Sequence, residues 1–220
     1  MAKHKVYQFY SELEDFDSKI WRRFEINGEK KMSDLSYAIM AMYQASGGHL
    51  FYLDQNVEDE SQKNQGVFPK NKHYEFSAPD SDLEGFGMPN EVKISPEKMT
   101  INKAGLKVGD TLDFLYDFGD GWHIQLTLEE IYTEEISLRL LPRVLEGAGY
   151  GIIEDIGGVY GLSEFVKALE KGSGTDYEEY MEWFGGNSFD FNQFDEEETN
   201  DTIKSEMRYF KDMYEENPMY

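Results

Sequence analysis

The first fifty residues restrict the fold more than any other stretch: two alternating segments are followed at once by a helical stripe. In Val6 to Leu13, Tyr7, Phe9 and Leu13 share one side, and in Lys19 to Ile26, Ile20, Phe24 and Ile26 do the same. The two read as a hairpin. After Asn27-Gly28, Ser33 is the expected N-cap of a helix in which Leu35, Ala38, Ile39, Met42 and Tyr43 recur at helical spacing, with Gly47-Gly48 as its stop. A strand from His49 to Leu53 follows. Strand, strand, helix, strand in that order suits a sheet with a helix packed on one face.

The rest of the chain extends this plan. Asp54 to Asn90 is polar, holds Pro69, Pro79 and Pro89, and reads as a long surface insertion with at most short strands. Strands are expected at Glu91 to Ile94, Leu112 to Phe118, Trp122 to Ile131 and Ser137 to Val144. From Ser163 the pattern turns helical, with Phe165 and Leu169, then Tyr177, Tyr180, Met181 and Phe184, then Ile203, Met207, Phe210 and Tyr214. The expected class is α+β: a β-grasp-like, mostly antiparallel or mixed sheet with one packed helix, plus acidic C-terminal helices. Residues 1–172 form the sheet domain, with the insertion at 54–90, and residues 175–220 form a helical extension packed on the same domain.

A length of 220 residues suits one hydrophobic core. Lys and Arg number 21 against 44 Asp and Glu, a formal charge of −23 that repels phosphate backbones and anionic lipid, so broad nucleic-acid binding is disfavoured. Residues 175–220 hold 14 of the acids and 3 of the bases. Absence of Cys removes disulfides, thiolate metal sites and thiol nucleophiles, and fits a reducing compartment. The basic start meets Glu12, Glu14 and Asp15 before any apolar run long enough for a secretory leader, and the longest apolar run is only Ala38 to Tyr43. A cytoplasmic chain without a membrane span is expected.

Chemistry concentrates in Tyr116-Asp117-Phe118-Gly119-Asp120-Gly121-Trp122-His123. A two-residue turn at Asp120-Gly121 mixes polar and apolar residues on both faces. A three-residue loop over Gly119 to Gly121 pairs Phe118 with Trp122, Tyr116 with Ile124 and Phe114 with Leu126 on one apolar face. That register sets Asp117 opposite His123. Such a pair is either a general base with its orienting acid, two ligands of a divalent metal, or a plain polar pair on a solvated face. Glu154 and Asp155 can add carboxylates to it or cap a helical turn. Asp117, Asp120 and His123 are the candidate ligands for Mg²⁺ or Mn²⁺, and Asp117, His123, Glu154 and Asp155 the candidate catalytic set.

Other motifs are weaker. Gly147-Ala148-Gly149-Tyr150-Gly151 lacks both the Lys-Ser/Thr ending of a phosphate loop and the third glycine of a dinucleotide fingerprint, so tight backbone packing is its simpler reading. Trp21-Arg22-Arg23 is a basic spot that holds an anion or an acidic partner segment, or pairs with the chain's own carboxylates. His49 opens a strand, and His4 and His73 fall in expected coil, so no conventional zinc-enzyme spacing exists; nor is there a Gly-x-Ser-x-Gly elbow.

These residues together resemble the Ri-plasmid open-reading-frame-three-like family. The resemblance rests on Ile20-Trp21-Arg22-Arg23, the helix with Leu35, the strand from His49-Leu50, the hairpin run 116–123, and Glu154-Asp155-Ile156-Gly157-Gly158 with Gly161. Glu182-Trp183-Phe184-Gly185-Gly186 and Phe191 to Asp195 extend it into the C-terminal quarter. Where the family usually carries Cys-Pro-Pro this chain has Tyr150-Gly151-Ile152-Ile153, and Phe51-Tyr52-Leu53 replaces the family's usual aromatic and His arrangement. The resemblance implies a compact α+β fold and no defined activity. Some members carry a transposon-resolvase label, which the absence of a serine-recombinase signature does not support.

The leading functional expectation is a non-catalytic binding or accessory module with a protein partner. Its recognition surface is expected to include Trp21, Arg22, Arg23, Tyr116, Asp120 and Trp122 beside the Asp117 region. The alternatives are a divalent-metal-dependent hydrolase using Asp117, His123, Glu154 and Asp155, or a DNA-related accessory or DNA-mimicking protein.

Overall fold

A computed structural model of the chain describes residues 2–17, 19–56, 71–76, 91–185 and 190–216. The elements are β1 (Lys3–Leu13), β2 (Trp21–Asn27), α1 (Met32–Met42), β3 (Phe51–Gln55), β4 (Asn71–Glu75), β5 (Glu91–Ile94), α2 (Ile101–Ala104), β6 (Thr111–Tyr116), β7 (Trp122–Glu135), β8 (Arg143–Ala148), α3 (Gly158–Lys171), α4 (Thr175–Trp183) and α5 (Glu196–Lys211). One sheet of eight strands runs β5-β4-β3-β6-β7-β1-β2-β8. All neighbours are antiparallel except β4 and β5, so the sheet is mixed and the fold is α+β. Of the expected insertion at 54–90, β4 is described and most of the remainder lies outside the described residues. No helix among the described residues is long and apolar enough to cross a membrane.

Helix α1 crosses the sheet as its apolar stripe requires, but all its residues except Asp34 are buried, including Ser33, Ser36 and Tyr37. The cause is a second cover. The α5 residues Ile203, Met207 and Phe210 are buried, and the Tyr37 ring lies 6.4 Å from Phe210 and 5.9 Å from Tyr214. The buried hydroxyls stay bonded, because Ser33 and Tyr37 both donate to Glu215 and Ser36 donates to the Met32 carbonyl. The helix begins two residues before the position expected from Ser33. The Asp34 carboxylate accepts the Lys31 N–H at 2.9 Å, and Lys31 takes the N-cap place. It ends at Met42, with Gln44 rather than a glycine in the left-handed region at φ 59°. The strand expected over 137–144 is displaced: a turn at Leu138–Leu140 comes first and pairing starts at Arg143, after Pro142, which has no N–H to give a ladder.

One buried cation ties these layers together. Arg22 sits inside the sheet face and is fully buried. Its five N–H donors all reach main-chain carbonyls: Nε to Met42, Nη1 to Trp21 and Ala148, and Nη2 to Gly149 and Tyr150, at 2.7–3.1 Å. Met42 closes α1, so its carbonyl is one that the helix cannot satisfy itself, and a cation there also meets the negative end of the helix dipole. The guanidinium also lies 4.0 Å from the centroid of the Phe194 ring and 5.0 Å from that of Tyr43. Burial pushes it down to about 10, so it stays charged at neutral pH. Gly147 makes this packing feasible, since a Cβ there would stand 2.9 Å from Arg22 Cδ and 2.7 Å from the Phe194 ring.

Arg22→Met keeps much of the side-chain length and removes every donor, leaving buried carbonyls unpaired. It is expected to lower the unfolding free energy by about 3–5 kcal/mol in urea denaturation, with Arg22→Lys recovering part of the loss. An unchanged midpoint for Arg22→Met would show that the carbonyls find other partners.

Candidate functional site

The hairpin β6–β7 pairs Tyr116 with Trp122, Leu115 with His123 and Phe114 with Ile124. This is two residues away from the expected register. A shift of two leaves the strand side chains on their expected faces, so Phe114, Tyr116, Trp122 and Ile124 still point into the core, but it changes who faces whom, and Phe118, expected opposite Trp122 on the apolar face, falls in the loop and is half exposed. The loop becomes Asp117 to Gly121, and Asp117 leaves the strand. It takes φ 55°, and its Oδ1 accepts the Gly119 N–H at 2.9 Å, the local bond that lets an Asp occupy the left-handed region.

Asp117 therefore does not meet His123. Its second oxygen, Oδ2, lies 3.6 Å from Nδ1 of His49, a residue on the lead-in to β3. The other imidazole nitrogen, Nε2, lies 3.6 Å from Oε2 of Glu154. Glu154 is anchored through Oε1, which accepts the Ser46 N–H at 2.6 Å and the Tyr116 hydroxyl at 2.9 Å. That hydroxyl also accepts the Gly47 N–H at 3.1 Å, so the β3 lead-in, the hairpin and the 154 loop share one knot of bonds. Burial first, and then the Glu154 carboxylate, hold the Tyr116 phenol well above its ordinary range, so it remains a donor. His49, Asp117 and Glu154 thus present three ligand-type atoms within 4.8 Å of one another.

The remaining expected residues are dispersed. His123 projects from the opposite face of β7, where Nε2 and the Asp113 Oδ1 are 3.0 Å apart. Asp113 also accepts from Asn56 and Gln125, and these bonds lower its carboxyl while it raises the imidazole. Asp155 is exposed at φ 60°. Asp120 turns toward the start of α3, accepting the Gly157 N–H at 3.3 Å, and its carbonyl lies where a Cβ on Gly158 would come within 2.2 Å. Tyr116, Trp122 and Arg22 are buried and present no recognition surface. Arg23 bonds Glu129 through Nε and Nη2 and Glu146 through Nη1, which is pairing with the chain's own acids; Trp21 lies beside it, its ring 5.7 Å from the guanidinium. His73, expected in coil, is part of β4 and bonds Asp54. In the sequence His49 opens a strand and contributes to the family resemblance, with no conventional metal spacing around it. Because its partners lie far along the chain, no local spacing marked it.

Residues 5–198 match the plasmid pRiA4b ORF-3-like protein family. The chain belongs to that family. A curated relative, "Uncharacterized protein y4hQ" of Sinorhizobium fredii (strain NBRC 101917 / NGR234), is 33% identical over 130 residues, 54% of this chain. The chain spans 62% of that relative's length. A crystal structure of the "Protein of Unknown Function MM3350" from Methanosarcina mazei Go1 superposes with a TM-score of 0.68 over 88% of this chain and 96% of that one, at 23% identity, and so shares the fold.

Two cavities lie in the C-terminal layer. One of about 510 Å³ opens between α3 and α4, lined by Glu164, Asp176, Glu179, Tyr180 and the half-exposed Trp183. The Tyr180 phenol is held above its ordinary range by burial and then by Glu164 and Asp176. The other, of about 540 Å³, lies beside α5, and its lining includes Glu198, Glu206, Tyr150 and Tyr209. Neither has Lys or Arg among its lining residues.

The Asp113–His123 bond gives a signed pH dependence. The raised imidazole contributes stability fully below the ordinary His value and loses it as pH rises through the folded value. The lowered carboxyl contributes above the ordinary Asp value and loses it as pH falls through the folded value. The pair is therefore strongest between about pH 4 and about pH 6.5. Between about pH 6 and about pH 8, the Tm of the native chain is expected to fall more than that of Asp113→Asn. Parallel thermal melts check this, and equal falls would remove the pair from the account.

Proposed function

We propose that this family member is a non-catalytic interaction module that receives a basic segment of a protein partner on its C-terminal helices. The observation that carries this reading is the cavity between α3 and α4, whose lining is three carboxylates and two aromatic rings. Aromatic faces attract a cation through their quadrupole, and carboxylates beside them add charge and hydrogen-bond acceptors, so a Lys or Arg side chain is the complementary occupant. The cavity beside α5 also holds carboxylates and aromatic rings, Glu198, Glu206, Tyr150 and Tyr209 among them, set between neutral polar residues and alanines, and the excess acid of residues 175–220 steers a basic partner toward both. A phosphate backbone meets only repulsion on such a lining. The hydrolase reading needs His123 beside Asp117 and Glu154, whereas His123 is bonded to Asp113 on the other face of the hairpin.

The test uses the full chain and two synthetic peptides of equal length and apolar content, one rich in Lys and Arg and the other in Asp and Glu. Calorimetry is expected to show binding of the basic peptide alone, weakening as salt is raised. Trp183→Ala and Glu179→Gln are each expected to weaken it by about tenfold while leaving the thermal midpoint nearly unchanged. Equal binding of both peptides, or indifference to both substitutions, would overturn the reading.

A further inference from the structure

We infer that His49, Asp117 and Glu154 form a binding site for one divalent transition-metal cation, Mn²⁺ or Zn²⁺. The site is independent of the docking surface proposed above. It is built from three segments that the fold brings together: the lead-in to β3, the first loop residue after β6, and the loop before α3.

Four features of the cluster point to a cation rather than to a polar knot complete in itself. First, the distances are those of neighbours that are not bonded. Each imidazole nitrogen is 3.6 Å from a carboxylate oxygen, beyond the reach of a good hydrogen bond. Donors around a cation at about 2.1 Å stand roughly 3–3.5 Å apart, so small side-chain rotations gather three atoms already within 4.8 Å.

Second, Oε2 of Glu154 has almost no accessible surface and no hydrogen-bond partner, with the His49 Nε2 at 3.6 Å its near neighbour. A carboxylate oxygen removed from water without a partner is costly, and an ion is one of the few things that satisfies it.

Third, each carboxylate is held by one oxygen only. Asp117 Oδ1 is taken by the Gly119 N–H, and Glu154 Oε1 by the Ser46 N–H and the Tyr116 hydroxyl. The remaining oxygens, Oδ2 and Oε2, are the two that face His49. Bonds that fix one oxygen and aim the other are the outer support a metal ligand needs. The ring of His49 is itself set edge-on to Tyr116, with centroids 5.8 Å apart.

Fourth, the donor set selects the ion. Two carboxylates neutralise a divalent charge, and an imidazole shifts preference from Mg²⁺ and Ca²⁺ toward Mn²⁺ and Zn²⁺. Three protein donors leave further coordination positions for water or a ligand oxygen.

The experiment is calorimetric titration of ZnCl₂, MnCl₂ and MgCl₂ into the chelator-treated full chain near neutral pH, with thermal melts in parallel. One equivalent of Zn²⁺ or Mn²⁺ is expected to bind with a raised Tm, and Mg²⁺ to bind more weakly. His49→Ala is expected to weaken that binding by about 30-fold or more, and Asp117→Asn to act in the same direction. His123→Ala, on the other face of the hairpin, is expected to leave it unchanged. Glu154 also anchors Ser46 and Tyr116, so Glu154→Gln can fail through misfolding. A second readout on the native chain removes that ambiguity: Mn²⁺ should broaden the imidazole NMR signals of His49 well before those of His123. The site is overturned by the absence of stoichiometric binding, by binding that survives His49→Ala, or by several weak equivalents spread over the surface acids.

Discussion

Much of this architecture depends on a single buried guanidinium. Arg22 closes the C-terminus of α1, the end of β8 and the turn that follows, and the Phe194 ring lies over it. A hydrophobic residue at this position would pack but could not satisfy carbonyls that converge from three segments. A lysine has three donors on a single nitrogen and cannot spread them over a planar fork. The cation is therefore compensated by dipoles rather than by a carboxylate, unusual in a chain with 44 acids.

The second organising constraint is the polar knot around Tyr116 and Glu154. Tyr116 belongs to the core face of β6, yet its hydroxyl reaches Glu154 and the Gly47 N–H at the end of the sheet. It transmits the position of the sheet to two loops that carry His49 and Glu154. Asp117 joins them because the hairpin loop is long enough for it to leave the strand. The site is thus built at the edge of a rigid element, where packing holds the side chains, with the His49 ring partly exposed and the facing Glu154 oxygen buried.

Charge is distributed by the same logic. Bases on the sheet are largely consumed internally, as Arg23 is by Glu129 and Glu146 and Arg143 by Glu25. In the C-terminal helices, the cavity beside α4 is lined by carboxylates and aromatic rings, and the one beside α5 adds neutral polar residues to them, with no base in either lining. That layer also covers the outer side of α1, so one set of helices completes the core and presents the acidic surface.

The α+β class, the hairpin with its following helix, the positions of most strands and the acidic helical end were legible in the sequence. They follow from periodicity, which depends only on near neighbours in the chain. The burial of Ser33, Ser36 and Tyr37 was not, because it comes from α5, more than 150 residues away, closing over what a single helix presents as its polar side. Nor was the partner of Asp117. Alternation determines which face a residue occupies, and two registers that differ by two residues satisfy it equally; loop geometry and contacts with the β3 lead-in decide between them. The sequence pointed to Asp117 and Glu154 but passed over His49, and it offered Arg22 an anion, an acidic partner or the chain's own carboxylates, where the structure gives it main-chain carbonyls. Only tertiary structure could bring those two residues to their partners, since each makes its decisive contacts with groups distant in the chain.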